Sequence, residues 1–306
     1  MSIVVKNGKV IDGTGRAAFV GDIVMENGRI ASVAAGATHA ADARVIDATG
    51  HTVIPGLVDP HVHITYGETV VEPRSWTAFS KVYTEQEDGF FRLTAKAGRD
   101  VAAGAYACRQ TLLAGFTTVR ADGGVRVSRL RDSDIVLREA VKNGFLPGPR
   151  ILACGGGIAM TGGHGWNIGV VEADGVDALR LETRRQLKAG ADLIKIFATR
   201  AGGGEWSGGP EFSTEEMRVI CDEAKQRGKH AAAHAVGAEG IKRAVLAGVD
   251  TIEHGCLIDE EGAELMAEHG TWLISTLYPF ERQATRAKQL GYPDHMGSSS
   301  AEIMKV

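Results

Sequence analysis

Over the first 55 positions, apolar residues come in short runs broken by Asn-Gly and Asp-Gly pairs. Ile3-Val4-Val5 precedes Asn7-Gly8, Lys9-Val10-Ile11 precedes Asp12-Gly13, and Ile23-Val24-Met25 precedes Asn27-Gly28 and Arg29-Ile30. Both residues of such a pair tolerate positive φ, as a two-residue hairpin requires. The pattern predicts a small antiparallel β unit over residues 1–55, with too few strands to be stable alone.

From about residue 53 the rhythm changes. Short apolar, β-branched runs alternate with longer segments of helical periodicity. The runs are Thr52-Val53-Ile54, Thr117-Thr118-Val119, Arg150-Ile151-Leu152, Leu193–Ile196, His230–Ala233, Thr251-Ile252 and Trp272-Leu273-Ile274. Between them, Ser213 caps a helix over 214–227 that Gly228 stops, and a second helix covers 239–246. Alternating β and α elements with apolar strands predict a parallel sheet buried on both faces. Seven such units are counted over residues 56–306, whereas a closed barrel of this type needs eight. The fold is therefore either an open sheet or a barrel whose last strand is lacking.

Composition narrows the function classes. With 44% hydrophobic and 24% charged residues, the 306-residue chain is an ordinary globular protein. A formal net charge of −4 leaves no basic field for nucleic acid or anionic lipid. No run approaches 18 apolar residues, and the N-terminus lacks a signal-peptide pattern. Cys108, Cys154, Cys221 and Cys256 are widely spaced, as expected of free thiols in a cytoplasmic protein. Glycine is in excess, at 40 residues, and clusters after predicted strands at 155–157, 162–165, 202–204 and 208–209. Such clusters read either as flexible loops or as phosphate cradles. No GxxxxGK[ST] is present.

The candidate chemistry lies at the ends of the predicted strands. In Asp59-Pro60-His61-Val62-His63, strand alternation projects His61 and His63 together, as two ligands of one metal. Lys195 sits inside the apolar run Leu193–Phe197. It is read as a snorkelling lysine, a Schiff-base amine, or a lysine carboxylated by carbon dioxide to bridge two metals. His234 and His254 end successive strands. Together with His61 and His63 they place four imidazoles at one rim. His164, between glycines, is a candidate to approach a substrate carbonyl. His39, His51, His230, His269 and His295 read as structural or surface residues.

These motifs together resemble the amidohydrolase superfamily. They are Ile54–His63, Gly162-Gly163-His164-Gly165, Ile194-Lys195-Ile196, Ala233-His234-Ala235 and Ile252-Glu253-His254-Gly255. The resemblance is to the branch of imidazolonepropionase-like proteins, metallo-dipeptidases and ochratoxinase-like amidases. It implies a distorted (β/α)8 TIM-like barrel, here lacking strand 8, with a small N-terminal β-sandwich. By the resemblance, His61 and His63 bind one divalent ion, His234 and His254 the other, and carboxylated Lys195 bridges them. Zinc is the expected metal. His164 polarises the scissile carbonyl, and a hydroxide held between the ions attacks it.

The family's strand-eight aspartate is not found. Asp294 does not fit it, so the chain reads as C-terminally truncated, with weak or no turnover expected of residues 1–306. The implied reaction is hydrolysis of an amide-type C–N bond in a dipeptide or N-acyl amino acid. The alternatives are an inactive fragment and a Schiff-base lyase using Lys195. Trp76, Phe79, Tyr83, Phe90 and Phe91 read either as packing or as an apolar cap. The expected partner is a small-molecule substrate, with no nucleic acid or membrane, and homo-oligomerisation is left open.

Overall fold

A computed structural model describes residues 2–65, 90–123, 132–166, 170–200, 208–289 and 294–305, with backbone alone for 90–100 and 294–296. The aromatic group Trp76, Phe79, Tyr83, Phe90 and Phe91 lies outside the described residues or side chains, as do Gly202–Gly204. The chain divides into two compact units, residues 1–57 and 58–306.

The first unit is a five-stranded sheet. It comprises β1 (Ser2–Val10), β2 (Phe19–Glu26), β3 (Arg29–Ala34), β4 (Arg44–Asp47) and β5 (Thr52–Val53), in the order β3-β2-β1-β4 with β5 also on β1. Asn27 (φ 51°) and Gly28 (φ 75°) form the expected two-residue turn between β2 and β3.

Asn7-Gly8 departs from its expected turn. β1 runs straight through it, and the pair is a bulge that breaks the β1–β2 register between Val5 and Gly8. Asn7 takes φ 61°, and its backbone N–H donates to Asp22 Oδ1 at 2.9 Å. A Cβ on Gly8 would lie 2.6 Å from Val53 Cγ2, so glycine is needed where β5 passes. The sheet is also mixed rather than antiparallel, because β4 and β5 pair with β1 in parallel. The run Thr52-Val53 therefore belongs to this sheet and does not open the α/β series.

That series begins at β6 (Leu57–Val62). It continues with β7 (Phe116–Ala121), β8 (Arg150–Ala153), the short β9 (Ile158–Ala159) and β10 (Val171–Glu172), then β11 (Leu193–Phe197), β12 (His230–Gly237), β13 (Thr251–Leu257) and β14 (Trp272–Ile274). The helices are α1 (Phe90–Leu113), α2 (Ser133–Lys142), α3 (Gly175–Ala189), α4 (Thr214–Lys225), α5 (Ala238–Ala247), α6 (Glu260–His269), α7 (Leu277–Arg286) and α8 (Asp294–Ile303). Two sheets have the orders β6-β7-β8 and β10-β9-β11-β12-β13-β14, and every pairing in the second is parallel. The N–H of Asp192 donates to the carbonyl of Ala153 at 2.7 Å, which ties the start of β11 to the end of β8.

Strand alternation sorts side chains into two environments. Ile194, Ile196, Ala231, Ala233 and Ile252 join Met217, Ile220, Ile241 and Ala244 of the covering helices in one large core. The opposite face carries Leu193 and Ala232, which pack with Cys154. Lys195 shares that face and pairs in register with Ala232, whose methyl leaves room for the longer chain. The helices are closed by local chemistry. Ser213 and Glu216 form a reciprocal capping box on α4, and Gly248 ends α5 in a left-handed conformation. Among the described residues no helix is long and apolar enough to cross a membrane.

Replacing Ser213 by Ala removes one half of the box. We expect a loss of about 1 kcal/mol in unfolding free energy, measured by urea denaturation; an unchanged midpoint would show that the cap contributes nothing.

Candidate metal centre

Each candidate residue lies within a strand of the second unit, directly after one, or in the loop that follows one. His61 is in β6 and His63 follows it. Lys195 is in β11, His234 in β12 and His254 in β13, while His164 lies in the loop after β9. The structure brings all six together. Ring centroids step from His63 to His61 (5.3 Å), His254 (5.0 Å), His234 (4.6 Å) and His164 (4.3 Å, stacked). Phe197 lies 5.4 Å from His164 and 5.6 Å from Lys195 Nζ. Lys195 is 1% exposed.

His254 reaches this cluster against the alternation of its strand. Ile252 faces the helix-covered core and Glu253 the site, so regular alternation would turn His254 away. Positive φ at His254 (76°) and at Gly255 (60°) re-aims the ring inward. A Cβ at position 255 would approach Leu273 Cδ1 to 2.5 Å, so only glycine fits. A left-handed non-glycine residue is a strained conformation of the kind that clusters at functional sites.

The histidines are anchored through Nδ1. His63 Nδ1 lies 2.9 Å from the Gly123 carbonyl, which can only accept, so the ring carries its proton there and keeps Nε2 free. His61 Nδ1 lies 2.7 Å from Glu253 Oε2 and 3.0 Å from Asp122 Oδ2, and His254 Nδ1 lies 2.6 Å from Thr276 Oγ1. Metal-ligating histidines are characteristically held in this way through the second nitrogen.

Protonation states agree. Burial lowers His63 to about 4; burial and the Lys195 charge do the same for His164. Burial also holds His234 and His254 well below the ordinary imidazole range. Burial and Lys195 disfavour protonated His61 as well, yet Asp122 and Glu253 outweigh them and shift it upward. Asp122 is fully buried, but Lys195, His61 and Arg120 hold its carboxyl well below the usual range. His234 Nε2 is buried with no hydrogen-bond partner. A divalent cation is the kind of group this donor set fits: neutral imidazoles, anchored rings and an orphaned nitrogen.

Asp122, Glu253 and Arg120 were not anticipated. A single acid in a strand has no spacing signature. The available signal was weaker: an acid or arginine inside an apolar run, on the same alternation face as the other polar residues. His61, Asp122 and Glu253 bring one donor atom each within 4.8 Å of one another.

The glycine cluster at 162–165 resolves against phosphate binding. Gly162 N–H donates to Glu172 Oε1 at 2.7 Å, and His164 N–H to both oxygens of Glu211 at 2.9 Å. Carboxylates hold the amides that a phosphate would need. A Cβ on Gly163 would meet Glu211 at 2.6 Å, and one on Gly157 would meet Phe197 at 2.8 Å, so both glycines serve close approach. Two cavities adjoin the cluster. One, of about 760 Å³, is bordered by His61, His63, His254, Ile64, Leu273 and Tyr278; the other, of about 240 Å³, by His164, Trp166, Arg200 and Glu211. Cys108, Cys154, Cys221 and Cys256 form no disulfide.

The profile of the Amidohydrolase family matches residues 52–302. Ochratoxinase from Aspergillus niger is 29% identical over 255 residues, 73% of this chain and 47% of that protein. The chain thus spans about half the length of the curated relatives it matches. Among solved structures, a Xaa-Pro dipeptidase with bound methionine in its active site is 31% identical with a TM-score of 0.80, covering 99% of this chain and 74% of that one. A prolidase complexed with N-methylphosphonate-L-proline is 28% identical with a TM-score of 0.81, covering 100% and 73%.

A pH dependence follows from the neutral rings. His63, His164, His234 and His254 bind protons less readily folded than unfolded, so between about pH 4 and 6.5 the unfolded chain holds more protons. Stability of the metal-free protein therefore falls as pH drops through that window. His61 and Glu211, both shifted upward, and Asp134, which burial raises to about 6, act oppositely but are outnumbered. We expect the Tm of chelator-treated protein to fall from pH 7 to pH 5, with a shallower slope in His234→Gln; a Tm that rises over that range would contradict the neutral cluster.

Proposed function

The chain belongs to the amidohydrolase family, and on that premise we propose that it hydrolyses an amide or peptide-type C–N bond of a small substrate in the dipeptide or N-acyl amino acid class. The observation that carries this reading is the convergence of four imidazoles, His234 buried and His61, His63 and His254 partly so, with the buried amine of Lys195. His61 and His63 would hold one divalent ion, zinc in our reading, and His234 and His254 a second. The bound ions would supply Lewis acidity and bring the pKa of water from 15.7 to near 7.

The chain's own residues perform the remaining tasks. The Lys195 ammonium would give up one proton to become a free amine, and that amine would take up carbon dioxide as a carbamate with release of a second proton, so offering carboxylate-type oxygens to the ions. The carbamate nitrogen keeps one N–H, for which Asp122 Oδ2, now 2.8 Å from Nζ, is the acceptor. His164 is neutral and stacks on His234 with its backbone fixed by Glu211, so its ring N–H can meet the oxygen on which charge develops. The largely apolar cavity beside His61, His63 and His254, open to solvent on one side, could take up a hydrophobic side chain of the substrate. A Schiff-base lyase would need Lys195 but would leave the four imidazoles without a task.

The test is metal analysis together with a panel of dipeptides and N-acyl amino acids. In a protein extended to the length of its relatives we expect about two equivalents of zinc, hydrolysis of at least one hydrophobic member, and loss of both in Lys195→Ala, with weak or no turnover by residues 1–306 alone. A Lys195→Ala protein with two equivalents and undiminished activity would overturn the bridging role.

A further inference from the structure

We infer that Glu253, braced by Arg120 and Thr251, is a positioning residue that fixes the ring of His61 for ligation through Nε2. The inference rests on the metal-centre reading and adds to it a group that touches no ion.

Glu253 is fully buried, and both its oxygens are committed. Oε2 faces His61 Nδ1 at 2.7 Å. Oε1 accepts from Arg120 Nη2 at 2.5 Å and from the Thr251 hydroxyl at 2.6 Å. A carboxylate so held can rotate only by breaking two bonds to its own brace. It accepts and never donates, so His61 must present a proton at Nδ1, and the lone pair of the neutral ring is left on Nε2.

Arg120 extends the brace from the ring to the backbone. Its Nε donates to the Pro60 carbonyl at 2.6 Å, one residue before His61, and Nη1 donates to Thr251 Oγ1 at 3.1 Å. One planar guanidinium thus ties β6, β7 and β13 together at the level of the site, using its fixed fork of donors. Asp122 completes the arrangement. Its Oδ2 lies 3.0 Å from His61 Nδ1 and accepts from Lys195 at 2.8 Å, so the proposed bridging lysine and His61 share one anchor.

The donor grouping of His61, Asp122 and Glu253 is therefore a brace and not a further ion site. Arg120 and Thr251 already occupy Glu253 Oε1 and Lys195 occupies Asp122 Oδ2, while Asp122 Oδ1, which has no hydrogen bond, faces the cationic Arg120 Nε at 3.4 Å. An ion there would also have to displace the Nδ1 proton of His61. A ligand orientation set by a carboxylate one shell out is worth 10–100-fold in metal affinity in comparable sites.

Two measurements on the full chain test this. In the first, a chromophoric chelator competes for zinc with wild type and Glu253→Gln; we expect 10–100-fold weaker binding in the variant. In the second, imidazole ¹⁵N NMR of metal-free wild type at alkaline pH reads the tautomer of His61, assigned by loss of its signals in His61→Asn. We expect the proton on Nδ1, the minor tautomer of free histidine. Equal zinc affinity in Glu253→Gln, or a wild-type proton on Nε2, would overturn the inference. Wild type that takes up no zinc would defeat the metal-centre reading instead, and a proton on Nε2 would still overturn the role of Glu253. The same holds if Glu253→Gln does not fold.

Discussion

Polar groups that cannot reach water must satisfy one another, and the second unit is organised around that requirement at one end of its parallel strands. Lys195, Asp122 and Glu253 are almost completely buried, and His234 is nearly so. A buried charge is tolerated only when paired and hydrogen-bonded. Here Lys195 pairs with Asp122, and Arg120 with Glu253. His63, His164, His234 and His254 shed their protons instead, in a space that penalises charge, whereas Asp122 and Glu253 shift His61 the other way. What is left over is His234 Nε2, buried without a hydrogen-bond partner, which is a costly arrangement for a protein with no cation to place there.

The strands make the arrangement affordable in space. β12 is built largely of alanine, with Ala231, Ala232, Ala233 and Ala235 all essentially inaccessible. Ala232, in register with Lys195, keeps the inner face open, while Ala231, Ala233 and Ala235 join Ile194, Ile196 and Ile252 on the outer face against the helices. The same strands thus supply both the stability of a dry core and the room for a polar cluster. Glycines continue this logic in the loops: Gly157, Gly163 and Gly255 each stand where a Cβ would collide with a site or core side chain.

Much of this was legible in the sequence. His61 and His63 are two residues apart next to a strand end, and alternation alone puts them side by side. Lys195 stood out as a charge within an apolar run. Asn27-Gly28 reads as a turn and is one, because nothing but its own two strands bears on it. Asn7-Gly8 carries the same local signal and is a bulge, because β5, more than forty positions later in the chain, crosses at Gly8. Asp122 and Glu253 escaped for a related reason. Their meaning comes from Lys195, His61 and Arg120, partners contributed by other strands, and no short-range pattern marks such a pairing. The backbone reversal that turns His254 inward was equally invisible, since histidine followed by glycine has many commoner explanations.

The central claim is that this cluster gathers a pair of cations around Lys195. Anomalous diffraction at the zinc edge, from crystals of the metal-loaded protein, tests it most directly. Two zinc peaks are predicted, one against His61 and His63 and one against His234 and His254, with density beyond Lys195 Nζ reaching both. An absence of zinc from the cluster, with Lys195 still paired as a bare amine to Asp122, would contradict it.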